Sequence, residues 1–241
     1  MRVNRTTKLT LAYDGGPFNG WAVQPGQRTV AGELAVALQT VLRQAVSLVV
    51  AGRTDRGVHA LGQVVSYDGP LPSLRSVNAL LPDEIAVLAA EQAPDGFSAR
   101  HDAVSRSYVY RVLARPTPSP FETGRALWWP YAIERAALDA CAAALAGTHD
   151  FTAFTPTETY HQRFERNVLS TAWQGEELLE FRIEADAFMR QMNRALVGTM
   201  LEVAGGRRTL TAFERLLRRR PRGDAGPTAP AHGLYLASVR Y

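Results

Sequence analysis

Ala51-Gly-Arg-Thr-Asp-Arg-Gly-Val-His-Ala60, followed by Gly62-Gln63-Val64, sets one acid between two arginines inside a run bracketed by glycines. An opposite charge within a few ångströms lowers a carboxyl pKa by about 1–3 units. Asp55, between Arg53 and Arg56, is therefore expected to be ionised at neutral pH, which suits nucleophilic attack better than proton donation. Gly52 and Gly57 allow the crowded or left-handed backbone that brings a loop close to a ligand. The same letters also spell an ordinary turn, with the Asp side chain bonding local backbone and Gly taking the positive φ. Spacing by itself leaves both readings open.

Outward from this run, strand and helix patterns alternate with short connections. Leu9–Tyr13 is expected as a strand running into the turn Asp14-Gly15-Gly16-Pro17, and Gly32–Arg43 has helical spacing at Leu34, Leu38, Val41 and Leu42. Val64–Tyr67, Ile85–Leu88 and Glu177–Ile183 read as short strands. Ser107–Leu113 alternates, with Tyr108, Tyr110 and Val112 on one face. Arg115-Pro-Thr-Pro-Ser-Pro120 is a stiff loop, and Ile133–Leu145 an Ala-rich helix. A further helix is expected over Met189–Val203, burying Met189, Met192, Leu196, Met200 and Val203. On it Arg190 and Arg194 stand at i and i+4, where like charges repel and an anionic partner would relieve them. The mixture indicates an α+β or α/β protein with a boundary between Ala99 and Ser105.

Composition narrows the class. The 241 residues, 46% of them hydrophobic, suffice for a sizeable core as one large domain or two smaller ones. No apolar run is long enough for a membrane span, and Met1–Lys8 lacks the apolar core of a signal peptide, so a soluble cytoplasmic protein is expected. The single cysteine, Cys141, among alanines, reads as a small core residue. One Cys and five scattered His give no metal-ligand spacing. The net charge is only +4, but of 27 basic residues one, Lys8, is lysine and the rest are arginine. Arginine's planar fork suits phosphate and stacks on bases. Arg207, Arg208, Arg215, Arg218, Arg219, Arg220 and Arg222 cluster near the C-terminus, as a nucleic-acid contact or as a solvated charged face.

Taken together, several of these segments resemble the tRNA pseudouridine synthases of the TruA type over nearly the whole length. Leu11-Ala-Tyr-Asp-Gly-Gly-Pro-Phe-Asn-Gly-Trp21 is similar to the family's opening strand and turn, and Ala51–Ala60 to its catalytic motif, with Arg56 where Ala is usual. Asn78-Ala-Leu-Leu-Pro82, Phe97-Ser-Ala-Arg100 and Arg106-Ser-Tyr-Val-Tyr110 continue the pattern. Ala185-Asp-Ala-Phe188 through Met192-Asn-Arg194, Val197-Gly198 and Thr228-Ala-Pro-Ala-His-Gly-Leu-Tyr235 complete it. A ten-residue motif with ordered companions is far more specific than a lone pattern. The chain departs from the family at Arg190 and Gln191, where histidines are common, at Asn193, where an apolar residue is common, and at Ala195, where Asn is usual.

The resemblance implies two similar α/β halves with mainly antiparallel sheets joined across a central basic cleft. Residues 1–102 would carry the catalytic Asp loop, and 103–241 the stacking tyrosine and a basic partner helix. It implies isomerisation of uridine to pseudouridine in the anticodon stem-loop of tRNA (family positions 38, 39 and 40), without cofactor or metal, by a homodimer. Asp55 resembles the family's nucleophile, Tyr110 the tyrosine that stacks on the target uracil, and Arg194 the basic partner of the acid. Arg53 resembles the motif arginine that contacts RNA. Arg56, Arg190, Arg207, Arg208 and Arg218 are weaker candidates for RNA contact. Two alternatives stand beside this: a non-catalytic RNA-binding protein, and an Asp-dependent hydrolase with His59 as base.

Overall fold

The computed structural model describes residues 6–159 and 161–241. Met1–Arg5, part of the run read above for a leader, lies outside the described residues. In chain order the elements are β1 (Thr6–Tyr13), α1 (Val30–Leu42), β2 (Val49–Val50), β3 (His59–Asp68), α2 (Leu74–Asn78), β4 (Ile85–Ala93), β5 (Ser105–Leu113) and β6 (Leu127–Trp128). They continue with α3 (Arg135–Ala144), β7 (Gly147–Asp150), β8 (Glu165–Gln174), β9 (Leu178–Ala185), α4 (Met192–Ala204), α5 (Leu210–Arg215) and β10 (Leu234–Arg240). The fold is mixed α and β, and most strand pairs are antiparallel.

The chain divides into two compact units, residues 1–104 with 235–241, and residues 105–234. The last seven residues thus belong with the first unit. In that unit β1 lies between β4 and β3, antiparallel to both, with Leu9 opposite Val65 and Ala90. On the far side of β3 runs β10, parallel, with Tyr235 opposite His59. Helix α1 starts at Val30 because Thr29 caps it, its hydroxyl accepting from the Gly32 amide at 3.3 Å. Val30, Ala31, Leu34, Ala37 and Leu38 form its buried stripe. Strand β3 extends further than Val64–Tyr67 and takes in His59 and Ala60, so the motif run is a loop feeding directly into a buried strand.

In the second unit β9 is the centre of an antiparallel ladder with β5 on one side and β8 on the other. Phe181 stands opposite both Tyr110 and Trp173, and β7 extends the edge. Helix α3 begins at Arg135 after the Glu134 cap and buries Leu138, Cys141 and Ala142. Burial pushes the Cys141 thiol up to about 12, so it is a protonated core group. Helix α4 is buried almost all round, polar Asn193 and Thr199 included, where one apolar face was expected. Thr199 meets the requirement for a partner by donating to the Ala195 carbonyl at 2.7 Å. The helix starts at Met192, later than expected, because Gln191 takes a left-handed φ of 61°. Arg190 consequently lies in the preceding turn, and the i, i+4 repulsion inferred between Arg190 and Arg194 does not arise. No helix among the described residues is long and apolar enough to cross a membrane.

Candidate active site

In the first unit everything around Asp55 converges on holding one loop in place. The Thr54 hydroxyl shares a hydrogen bond with the buried Tyr13 phenol at 2.8 Å, and the Thr54 carbonyl accepts from the Trp21 amide at 3.0 Å. Gln63, fully buried on β3, donates from one amide nitrogen to the Gly52 carbonyl at 2.8 Å and to the Tyr13 oxygen at 3.2 Å. Burial pushes the Tyr13 phenol up to about 12, its bonds to Thr54 and Gln63 acting the other way. The glycine part of the turn reading holds as geometry, with the main chain of Asp55 closing the turn. The Asp55 carbonyl accepts from the Val58 amide at 3.1 Å, and Gly57 has φ 77°. The turn after β1 backs this loop so closely that a Cβ on Gly15 would lie 2.0 Å from the Val58 carbonyl oxygen. Against this frame Asp55 is half-buried while Arg53 and Arg56 are exposed. The result is a carboxylate held near the surface and flanked by two solvent-facing cations.

His59 is the base that the hydrolase reading names. It is buried in β3, stacked on Tyr235 with ring centroids 4.6 Å apart, and its Nδ1 lies 3.1 Å from both the Gly15 amide nitrogen and Asp14 Oδ1. A neutral ring with its lone pair at Nδ1 accepts from the amide, whereas a protonated one donates to the carboxylate. Either way it ties the Asp14–Gly15 turn to β3. This is a local bonding role, and it leaves the hydrolase reading without its base.

In the second unit a different construction holds Tyr110 and Arg194. Tyr110 on β5 is 1% exposed, and its hydroxyl donates to the Pro230 carbonyl at 2.8 Å. Burial raises the phenol well above its ordinary pKa, with the nearby Arg194 charge opposing. Arg194, half-buried in the first turn of α4, donates from Nε to the Ala229 carbonyl at 2.6 Å, and its own carbonyl accepts from the Ala229 amide at 3.0 Å. The segment Arg222–Gly233 is thus a strap over both residues.

Further contacts fix the strap, none of them read from the sequence. Arg222 Nη1 donates to the Gly226 carbonyl and Nη2 to the Thr228 hydroxyl, each at 2.9 Å. The Gly226 amide donates to the Thr199 hydroxyl at 3.0 Å. Gly198 lets Pro227 approach so closely that a Cβ there would stand 1.9 Å from its carbonyl oxygen. Arg222, grouped above with a surface arginine cluster, is a clamp, and burial lowers its pKa. Its neighbour Arg208 is similarly engaged, with Nε and Nη2 at 3.1 and 3.0 Å from Glu202 Oε2. Arg207 is exposed, its guanidinium 6.0 Å from the Trp129 ring centroid, and Arg218 is exposed. Among the described residues no group of three or more His, Cys, Asp or Glu side chains could hold a metal.

A family model described as tRNA pseudouridine synthase matches residues 141–241, the stretch that includes α4, the strap and β10. Curated relatives extend the match to the Asp55 loop. The tRNA pseudouridine synthases A of Bacillus pumilus SAFR-032 and Bacillus subtilis 168 are each 41% identical over 97% of this chain and 98% of their own. That of Frankia casuarinae CcI3 is 43% identical over 97% of this chain and 88% of its own. The chain belongs to the tRNA pseudouridine synthase A family. It is an RNA uridine isomerase that converts uridine to pseudouridine in tRNA.

Proposed function

We propose that Asp55 is the nucleophile of this isomerisation, with Arg194 as its basic partner, Tyr110 as the surface for the target uracil and Arg53 as a contact to the flipped nucleotide. The observation that carries the reading is the Asp55 loop: a half-buried carboxylate between two exposed arginines, fixed from behind by the Tyr13–Thr54–Gln63 network. Such a site needs no cofactor. The bond between the ribose C1′ and uracil N1 breaks, a bond from C1′ to C5 forms, the C5 proton leaves and N1 gains one. Asp55 serves by attacking ribose or ring, or by assisting elimination.

To reach a protein carboxylate the base must leave its stack, at a cost of a few kcal/mol. Arginine–phosphate contacts and stacking on Tyr110 offset that cost. Because the Tyr110 ring is enclosed in the free chain, stacking requires it to be uncovered when RNA binds. The reading places Asp55 on an N-terminal half and Tyr110 and Arg194 on a C-terminal half, the two acting on one nucleotide across a basic cleft. Arg56, Arg190, Arg207 and Arg218 add phosphate contacts, and Arg208 supports them through its pair with Glu202. Family resemblance supports the anticodon stem-loop uridines at positions 38, 39 and 40 as targets, a homodimer as the working form and the cytoplasm as its place.

Mapping pseudouridines in tRNA exposed to the protein tests this. Modification confined to positions 38–40 is expected, and modification elsewhere overturns the target assignment.

A further inference from the structure

Five arginines of the second unit pair with carboxylates. Arg111 and Arg182 both reach Glu180, at 3.0 and 2.6 Å, Arg135 meets Asp139 at 3.0 Å, Arg208 meets Glu202 at 3.0 Å and Arg115 meets Glu177 at 3.5 Å. Around His161 the pattern fails. Among the described residues no carboxylate comes within ion-pair distance of Arg163, Arg166 or Arg190.

Arg166 is the most telling of the three. Placed on β8 and only 9% exposed, it donates from Nη1 to the neighbouring Glu165 carbonyl, while its Nε is buried with no hydrogen-bond partner. Leaving a charged donor buried and unpaired is costly. Burial depresses its pKa and the charge of Arg163 adds to this, while Asp186 works in the opposite direction. Asp186 Oδ1, however, is occupied by the Asn167 and Ala187 amides, at 3.1 and 2.7 Å. His161 Nε2 accepts from the Arg190 amide at 3.3 Å, which ties the turn before α4 to the same place. Burial, then Arg166, then Arg190 hold His161 below its ordinary pKa, so the ring is a neutral acceptor there. Three cations have gathered, one of them almost wholly buried, with Asp186 the carboxylate acting on Arg166 from beyond ion-pair distance.

We infer that Arg163, Arg166 and Arg190 form an anion site that takes a backbone phosphate of the substrate RNA. Phosphate supplies the double charge-assisted bonding that the exposed arginine forks match, and its charge offsets that of the buried Arg166. The inference rests on tRNA being the substrate. Its test reads binding, so it stands or falls separately from the assignment of Asp55.

Arg163 and Arg190 are exposed and can be replaced without opening the core. The double variant Arg163→Ala/Arg190→Ala should weaken tRNA binding about ten-fold at moderate salt. It should also lower the slope of log Kd against log salt by about 0.7–0.9, the worth of one phosphate contact. Arg166→Met should weaken binding as well while raising the melting temperature of the free protein, since it removes an unpaired buried charge. Titration with inorganic phosphate separates the two sources of the anion. Weak phosphate binding that competes with tRNA and disappears in the double variant agrees with an RNA subsite. Phosphate binding lost in the double variant with tRNA affinity and salt slope unchanged would overturn it. So would an Arg166→Met protein that melts lower and binds tRNA normally.

Discussion

The Asp55 loop and the Tyr110–Arg194 pair are both rigid, but they are rigid for different reasons. Asp55 is held by neighbours from two nearby stretches, residues 13–21 and 51–63, through neutral groups: a phenol, a hydroxyl, an amide and backbone. Tyr110 and Arg194 come from distant elements and are held by the carbonyls of Ala229 and Pro230 in a strap that Arg222 pins. A backbone-carbonyl support orients the Arg194 guanidinium through its Nε.

Among substitutions that leave the proposed site residues in place, the largest predicted effect comes from the backing turn. Gly15→Ala places a Cβ within 2.0 Å of the Val58 oxygen, backbone against backbone, so the loop must move. A loss of about 1–3 kcal/mol in chemical denaturation and a fall in kcat beyond ten-fold are expected. Next comes Gly198→Ala, which pushes Pro227 and with it the strap. It should lower kcat by a similar mechanism in the other unit while the Asp55 loop stays intact, and an unchanged kcat would show that the strap does not position Arg194. Arg222→Ala removes charged hydrogen bonds to Gly226 and Thr228 and should lower single-turnover kcat about ten-fold with KM little changed. A rise in KM alone would make Arg222 an RNA contact instead. Tyr110→Phe keeps the ring and loses the bond to Pro230, for about 0.5–1.5 kcal/mol, so activity should persist. Tyr110→Ala should not retain it.

A further effect is with pH. The folded Tyr13 phenol titrates near 12, above its ordinary value near 10, so the folded state keeps a proton that the unfolded chain releases first. Stability from this group is complete below about pH 10 and is lost as pH rises toward 12. Denaturation midpoints flat over that interval, once Tyr67, which behaves alike, is replaced by Phe, would contradict the burial of Tyr13.

The contrast also explains what the sequence disclosed. The Asp55 loop was legible because Asp14-Gly15-Gly16 and Gly52–Gly57 are turn chemistry that residue types specify, whereas the Tyr13–Thr54–Gln63 network joins residues 41 and 50 apart and left no mark in the sequence. Helices α1 and α3 were legible from apolar spacing, with ends misplaced by a few residues because Thr29 and Glu134 do the capping. Strand β8 was missed because its inward positions include Arg166 as well as Val168 and Trp173, which hides the period-two pattern. The start of α4 was misjudged because a left-handed Gln191 leaves no mark in hydrophobic periodicity. Arg222 and Arg208 looked like free surface charge because their partners, Gly226 and Glu202, lie only four and six residues away but in irregular chain or across a helix end, where residue spacing predicts no contact.

Release of tritium from C5-labelled uridine in tRNA, compared between wild type and Asp55→Asn, tests the nucleophile most directly. The substitution keeps the shape of the side chain and removes its nucleophilic charge. The expected result is no release above background with tRNA affinity within a few-fold of wild type. Wild-type release by Asp55→Asn would remove Asp55 from the chemistry and reduce its loop to the turn that its letters also spell.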